Sequence, residues 1–378
     1  MLFYITTFIR HRFSFGCERS MILHILKQSA FSFVFFGHPA LAQNPPDVEK
    51  YICYQTNEPI RIDGMLDERD WSTANASSLF VDIEGVVKPD PKFQTKVKML
   101  WNEEYFYIAA WLEEPHLWAT YTQRESVIFH ENDFEVFIDP DGDTHKYFEI
   151  EINALNTIWD LLLTKPYRDG GKPISSWDAE GMQTAVSLYG TINDPTDVDS
   201  CWTIEFAIPW RALKSDEEWH VIPKDGDQWK INFSRVQWDL DLAGNSYRKS
   251  VDPSTNKPFP ENNWVWSPQC VVNMHRPETW GVVQFAGMKV GENTQDFMED
   301  EDLECKWALR QLYYAQRAYW HQHKEYASEL GILNLDIASI IAEELNIDIT
   351  TSGYQASLYC NKTGTLWNIQ QDGRMWAE

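Results

Sequence analysis

Glu135, Glu149, Glu151 and Asn153 are the residues whose types and spacing offer chemistry. The first sits in Asp133-Phe-Glu-Val-Phe-Ile-Asp139, the others in Phe148-Glu-Ile-Glu-Ile-Asn153. Paired carboxylates suit two kinds of work. As hydrogen-bond acceptors beside an amide they suit sugar hydroxyls. As a pair roughly 5–9.5 Å apart, with one proton held, they suit glycosidic bond hydrolysis. Asp139, Asp141 and Asp143 add a second acidic set. Closely spaced carboxylate oxygens are what calcium prefers, while Pro140-Asp-Gly142 also reads as a plain turn chosen for backbone geometry. The full EF-hand pattern is absent.

The alternation around these residues says which element must hold them. Phe134, Val136 and Ile138 alternate with Glu135, Phe137 and Asp139. After the turn, Phe148, Ile150 and Ile152 alternate with Glu149, Glu151 and Asn153. Successive strand side chains point to opposite faces, so the stretch predicts a hairpin with one apolar and one acidic face. That acidic face suits either a ligand surface or an ordinary solvated side, since antiparallel sheets often leave one side wet.

The same period recurs along the chain. Strands are expected at Thr95–Trp101, Tyr105–Leu112, Thr184–Tyr189, Trp202–Ile208, Trp229–Trp238 and Gly281–Phe285, with few helices between them. Many short strands between turn signals predict a mainly β fold, an antiparallel β-sandwich of jelly-roll type. Residues 288–301 read as an acidic linker. Residues 302–378 read as a small α+β unit, with a helix over Leu303–His323 and strands near Tyr354–Tyr359 and Leu366–Trp376.

Composition narrows the function classes. A formal net charge of −25 disfavours nucleic acid and anionic membrane as partners. The 18 Trp supply stacking platforms as well as core. Trp118, Trp159, Trp177, Trp238 and Trp266 are platform candidates. No phosphate loop, dinucleotide fingerprint or nucleophile elbow is present. His130, His145 and His275 have no metal- or haem-ligand spacing and read as loop histidines.

Residues 1–42 are expected to be a signal peptide. Ala30–Phe36 is its apolar run, and Ala40-Leu-Ala42 its cleavage site. Met21 is the better start for it than Met1. Secretion or a periplasmic, envelope location follows, with no transmembrane segment after cleavage. Export permits disulfides, and Cys305 with Cys360 is the pair to test. The C-terminal unit is expected to dock a partner, an envelope component being the guess.

Residues 51–287 resemble the family 9 carbohydrate-binding modules. The resemblance rests on Ile62-Asp-Gly-x-x-Asp-Glu-x-x-Trp71, Leu100–Ile108, Asn132–Asp139, Trp202–Trp210, Ile231–Arg235 and Pro277–Gly281, in that order. It implies a β-sandwich that binds poly- or oligosaccharide without cleaving it, and structural calcium. It places the two sugar-sandwiching tryptophans of the family at Phe129 or His130 and at Met274 or His275. The carboxylate and amide ligands fall at Glu135 and Asn153. Arg235 and Trp238 end a strand, where they can overhang the site, and with the loop residue Trp177 they complete the expected sugar-binding set. A role in carbohydrate catabolism follows. The rivals are a glycoside hydrolase using Glu135 with Glu149 or Glu151, and a structural envelope protein without a small ligand.

Overall fold

The computed structural model describes residues 44–214, 222–333, 335 and 344–378. The expected signal peptide, with Met21 and the Ala42 site, lies outside the described residues. Among the described residues the main sheet has thirteen strands, two of them only two residues long (Val81–Asp82 and Pro173–Ile174), and the eleven longer ones are β1 (Lys50–Gln55), β2 (Thr95–Trp101), β3 (Tyr105–Glu113), β4 (Asp133–Asp139), β5 (Tyr147–Asn153), β6 (Ile158–Leu163), β7 (Gln183–Tyr189), β8 (Cys201–Pro209), β9 (Gln228–Gln237), β10 (Asn262–Val265) and β11 (Gly281–Lys289). Hydrogen bonding runs β6-β5-β4-β9-β11-β1-β2-β3-β8-β7, and β10 pairs with β9. The path folds so that its two halves face each other. Phe134, Val136, Ile150 and Phe233 from one half share a core with Met99, Ile108, Ile204 and Phe206 from the other. This is the expected β-sandwich. It departs from a purely antiparallel pattern at β1, which runs parallel to both β11 and β2. Parallel neighbours cannot be joined by a tight hairpin, and here they lie far apart or across a long connection.

The β4–β5 hairpin forms as its alternation requires. Glu135 faces Glu151, Phe137 faces Glu149, and Asp133 faces Asn153. Its apolar set, Phe134, Val136, Ile138, Phe148, Ile150 and Ile152, is wholly buried. The opposite face is not wet. Ile83, Phe137, Tyr147, Leu161, Leu163, Val265, Met274 and Trp280 form a second small core over it. Trp280 packs on Phe137 and Tyr147, and its Nε1 donates to the Met274 carbonyl at 2.8 Å. A distant segment covers the hairpin, which local period cannot reveal.

The Asp63-Gly64 and Trp71 motif has a structural partner. Glu205, wholly buried on β8, accepts hydrogen bonds from Trp71 Nε1 (2.8 Å), Gly64 N (2.8 Å) and Asp63 N (3.0 Å). Trp71 lies on the short helix α1 (Arg69–Thr73). Gly64 adopts φ +84°, and a Cβ there would meet the Ser187 backbone nitrogen at 2.7 Å, so only glycine fits.

Helix α2 (Leu303–His323) lays Leu309, Leu312 and Tyr313 on an antiparallel sheet of β12 (Leu345–Ile349), β13 (Tyr354–Cys360), β14 (Thr365–Gln370) and β15 (Met375–Ala377). Cys305 and Cys360 are disulfide-bonded, tying α2 to β13. The acidic stretch before α2 is hydrogen-bonded to the sandwich, with Met298 N donating to Gln284 Oε1 at 2.7 Å. An ionic cluster joins α2 to two sandwich loops. Arg168 donates to Glu278 at 2.9 Å and to Tyr313 Oη at 3.1 Å. Arg317 pairs with Asp169 at 2.6 Å, Arg276 donates to Tyr314 Oη at 2.8 Å, and Tyr314 Oη donates to Glu278. Burial opposes ionisation of Glu278, but Arg168, Arg310 and Arg276 outweigh it and hold the carboxyl well below the usual range.

Glu205→Ala strands the Trp71 indole N–H and two backbone amides in a buried place. It is expected to cost about 2–4 kcal/mol, checked by urea unfolding against wild type.

Candidate functional site

The acidic face of the hairpin opens into one cleft of about 360 Å³. Glu135 from β4 and Glu149 and Glu151 from β5 form its floor. Phe129, Trp159, Tyr167, Met274 and His275 are among its walls. The strand register explains the grouping, since Glu151 faces both Glu135 on β4 and Trp159 on β6. Asp133, two residues before Glu135 and therefore on the same face, is fully buried. Ligand oxygens of Asp133, Glu135 and Glu151 lie within 4.8 Å of one another.

These carboxylates are short of partners. Val236 N donates to Asp133 at 3.3 Å and Phe129 N to Glu151 at 3.0 Å. Asp133 Oδ2 and Glu149 Oε2 receive nothing. Among the described residues, none of the four pairs with a Lys or Arg. Burial raises all four, and repulsion from neighbouring carboxylates adds to it. Glu135 is pushed up to about 7 by burial, with Glu261 adding to it and the nearby Ser234 hydroxyl opposing. Asp133, Glu149 and Glu151 are raised well above the ordinary range. Across the cleft, His275 is lowered to about 4 by burial and by Arg168. It is neutral near pH 7, with Nδ1 2.9 Å from Tyr147 Oη.

Of the residues expected to bind sugar, Phe129, Glu135 and His275 meet in this cleft. His130 is exposed beside it, its ring 4.6 Å from that of Phe129. The others do not line it. Asn153 is fully buried and uses every bond it has. Its Nδ2 donates to Tyr121 O and Glu131 Oε1, and its Oδ1 accepts from Leu155 N and Thr157 N. Arg235 shares the interior face with Phe134, and donates to Glu114 (3.0 Å), Thr95 (3.1 Å) and Gln237 (2.9 Å). Trp177 packs on Phe148 at the edge of the main core. Trp238 lines a separate depression with Phe93, His116 and Phe259, under the Lys249 ammonium. Asn153 and Arg235 spend their polar groups on interior partners, and Trp177 spends its ring on the core.

The structure brings Asp139, Asp141 and Asp143 together, with oxygens within 4.8 Å. Asp139 accepts from Gly142 N and Thr144 N, while Asp143 accepts from His145 N and, at 2.8 Å, from Arg374 Nε. Burial, Asp141 and Asp143 all raise Asp139, so the three carboxylates form a crowded acidic set that could hold a cation, with the Arg374 guanidinium already engaging Asp143.

Tyr167 escaped the sequence reading. It is 44% exposed and its ring stands edge-on to His275 at 4.4 Å. Its position at the head of a Gly- and Pro-rich loop was the only available signal.

A carboxylate whose pKa is raised on folding binds more protons when native. Stability therefore falls as pH rises from the unfolded value to the folded one. Removing the Glu135 charge should help most above that window. Glu135→Gln is expected to stabilise the protein by roughly 1–3 kcal/mol at pH 8 and to give little gain at pH 4.5, measured by thermal or urea unfolding at both values.

Comparison with known proteins identifies the family. A family model described as "Carbohydrate family 9 binding domain-like" matches residues 62–287. Endo-1,4-beta-xylanase A of Thermotoga maritima is 24% identical over 202 residues, which cover 51% of this chain and 16% of the xylanase. A family 9 carbohydrate-binding module of Caldicellulosiruptor kristjanssonii, solved with cellotriose, aligns over 65% of this chain and 98% of its own at 13% identity and TM-score 0.39. A candidate carbohydrate-binding protein of Bacteroides uniformis aligns over 63% and 99% at 15% identity and TM-score 0.47. The family match covers well over half of the sequence, and so this chain belongs to the carbohydrate family 9 binding domain-like proteins.

Proposed function

We propose that the protein is an exported, non-catalytic carbohydrate-binding protein serving carbohydrate catabolism, and that its ligand sits in the cleft over Glu135, Glu149 and Glu151. The carrying observation is the pairing of aromatic walls with a floor of hydrogen-bond acceptors. A sugar ring offers apolar C–H faces to the first and hydroxyl donors to the second. Family membership supports the carbohydrate class. Export is supported by the N-terminal pattern and agrees with the Cys305–Cys360 bridge, which suits an oxidising compartment. Among the described residues no helix is long and apolar enough to cross a membrane.

A hydrolytic reading draws on the raised Glu135. It needs a second carboxylate held ionised as nucleophile or base. Here Glu149 and Glu151 are raised with Glu135, and no cation holds either one down. The cleft therefore supplies acids without their ionised partner, which favours binding over cleavage.

Titration of the chain from residue 43 onward with a panel of oligosaccharides should quench tryptophan fluorescence without releasing reducing sugar. Trp159→Ala and Tyr167→Ala should each weaken the responding sugar about tenfold, in line with loss of one aromatic contact. Release of reducing ends would overturn the non-catalytic assignment, and silence with every sugar would remove the cleft as the binding site.

A further inference from the structure

The charge of the cleft narrows its ligand further than its shape does. Neutral hydroxyls can satisfy the lone pairs of Glu135, Glu149 and Glu151, but they leave the charge of the floor uncompensated. Buried carboxylates are ordinarily paired with a cation. The nearby cations are committed elsewhere. Lys249 lies over the Trp238 ring, Arg168 is held by Glu278, and Lys230, in register with Asp139 at the other end of β4, donates to the Trp280 carbonyl. His275 faces the cleft as a neutral ring. In the free protein protons take the place of that cation on the raised carboxyls, and a cationic ligand or an ion would displace them and pair the carboxylates.

Two features favour a charged organic group over a bare divalent ion. The first is the place of the vacant acceptor that lines the cleft, Asp133 Oδ2 being vacant too but away from the lining. Glu149 is 5% exposed and lines the cleft, and its Oε2 has no partner. It stands outside the converging trio of Asp133, Glu135 and Glu151. Within that trio Asp133 is not part of the cleft lining, and backbone amides already engage Asp133 and Glu151. The second is the wall. Phe129, Trp159 and Tyr167 supply aromatic rings beside the acidic floor, and such rings attract an ammonium as well as a sugar's C–H face. A compact ion would leave them idle.

We infer that the cleft binds an amino sugar, a saccharide whose protonated primary amine is received by Glu149 and its neighbouring glutamates while the ring lies against the aromatic wall. The inference rests on the carbohydrate-binding reading of this cleft and specifies its substrate class. Binding is non-covalent. Ammonium-to-carboxylate hydrogen bonds are charge-assisted, stronger than hydroxyl-to-carboxylate ones, and screened by salt where the solvent reaches them.

The test compares three trisaccharides of one backbone geometry on the chain from residue 43 onward: β-1,4-linked glucosamine, its N-acetylated form and cellotriose. Calorimetry and tryptophan fluorescence at 20 and 200 mM salt give the affinities, and a separate melt with calcium chloride probes ion binding. The free amine is expected to bind at least tenfold tighter than both neutral analogues, with the preference shrinking at high salt. Glu149→Gln, which keeps the side-chain shape, should cost the amine at least fivefold more affinity than it costs cellotriose. Equal affinities, or a preference for cellotriose, would overturn the amino-sugar assignment and leave the carbohydrate-binding cleft standing. Absence of binding by all three would overturn both. Protection by calcium alone, lost in Glu149→Gln and without any preference for the amine, would make the floor an ion site and overturn it as well.

Discussion

Four carboxylates, Asp133, Glu135, Glu149 and Glu151, are kept on one buried sheet face without a positive partner, and that constraint shapes the molecule around it. They are held by what lies on the other side of the same two strands. Phe134, Val136, Ile138, Phe148, Ile150 and Ile152 are all inaccessible to solvent. Each contributes roughly 1.5–3 kcal/mol of burial, which favours the register that puts the acids on the opposite face. A one-residue slip would exchange the two sets and drive the acids into the main core. The register is therefore fixed by apolar packing, and the acidic floor is its obligatory by-product, free to acquire a use.

The ionic cluster at α2 solves the opposite problem. There Arg168, Arg276, Arg310 and Arg317 surround Glu278 and Asp169, so buried acids are compensated and the structure is drawn tight. Arg168 follows Tyr167, and Arg276 follows His275, both cleft-wall residues. The compensated cluster thus fastens the rim while the uncompensated one supplies the floor. One set of charges does structural work and the other is left available.

Much of this was legible in the sequence. The strands, the hairpin faces and the helix at Leu303–His323 followed from period two and period 3.6, because local alternation dictates which side chains share a face. The bond between Cys305 and Cys360 also matches the expected pair. Which face is covered, and by what, was not legible. The segment around Met274 and Trp280 reaches the hairpin through the tertiary fold alone. Asn153 and Arg235 show the same limit from the other side. Both lie on strands of the same sheet and carry suitable groups, yet Glu131 with two backbone amides claims the first and Glu114 the second. Nothing in the local sequence announces Glu131 as the partner of Asn153 or Glu114 as the partner of Arg235.

The placement of β1 has a consequence for how the chain is made. This strand lies between β11 and β2, and one of its two neighbours ends at Lys289. A ribosome must therefore emit most of the polypeptide before the first strand can be paired on both sides. Until then an unpaired strand edge is open to other chains, and the many long-range pairings make the remaining search slow. The sandwich closes late, with the last part of the β-region completing the first.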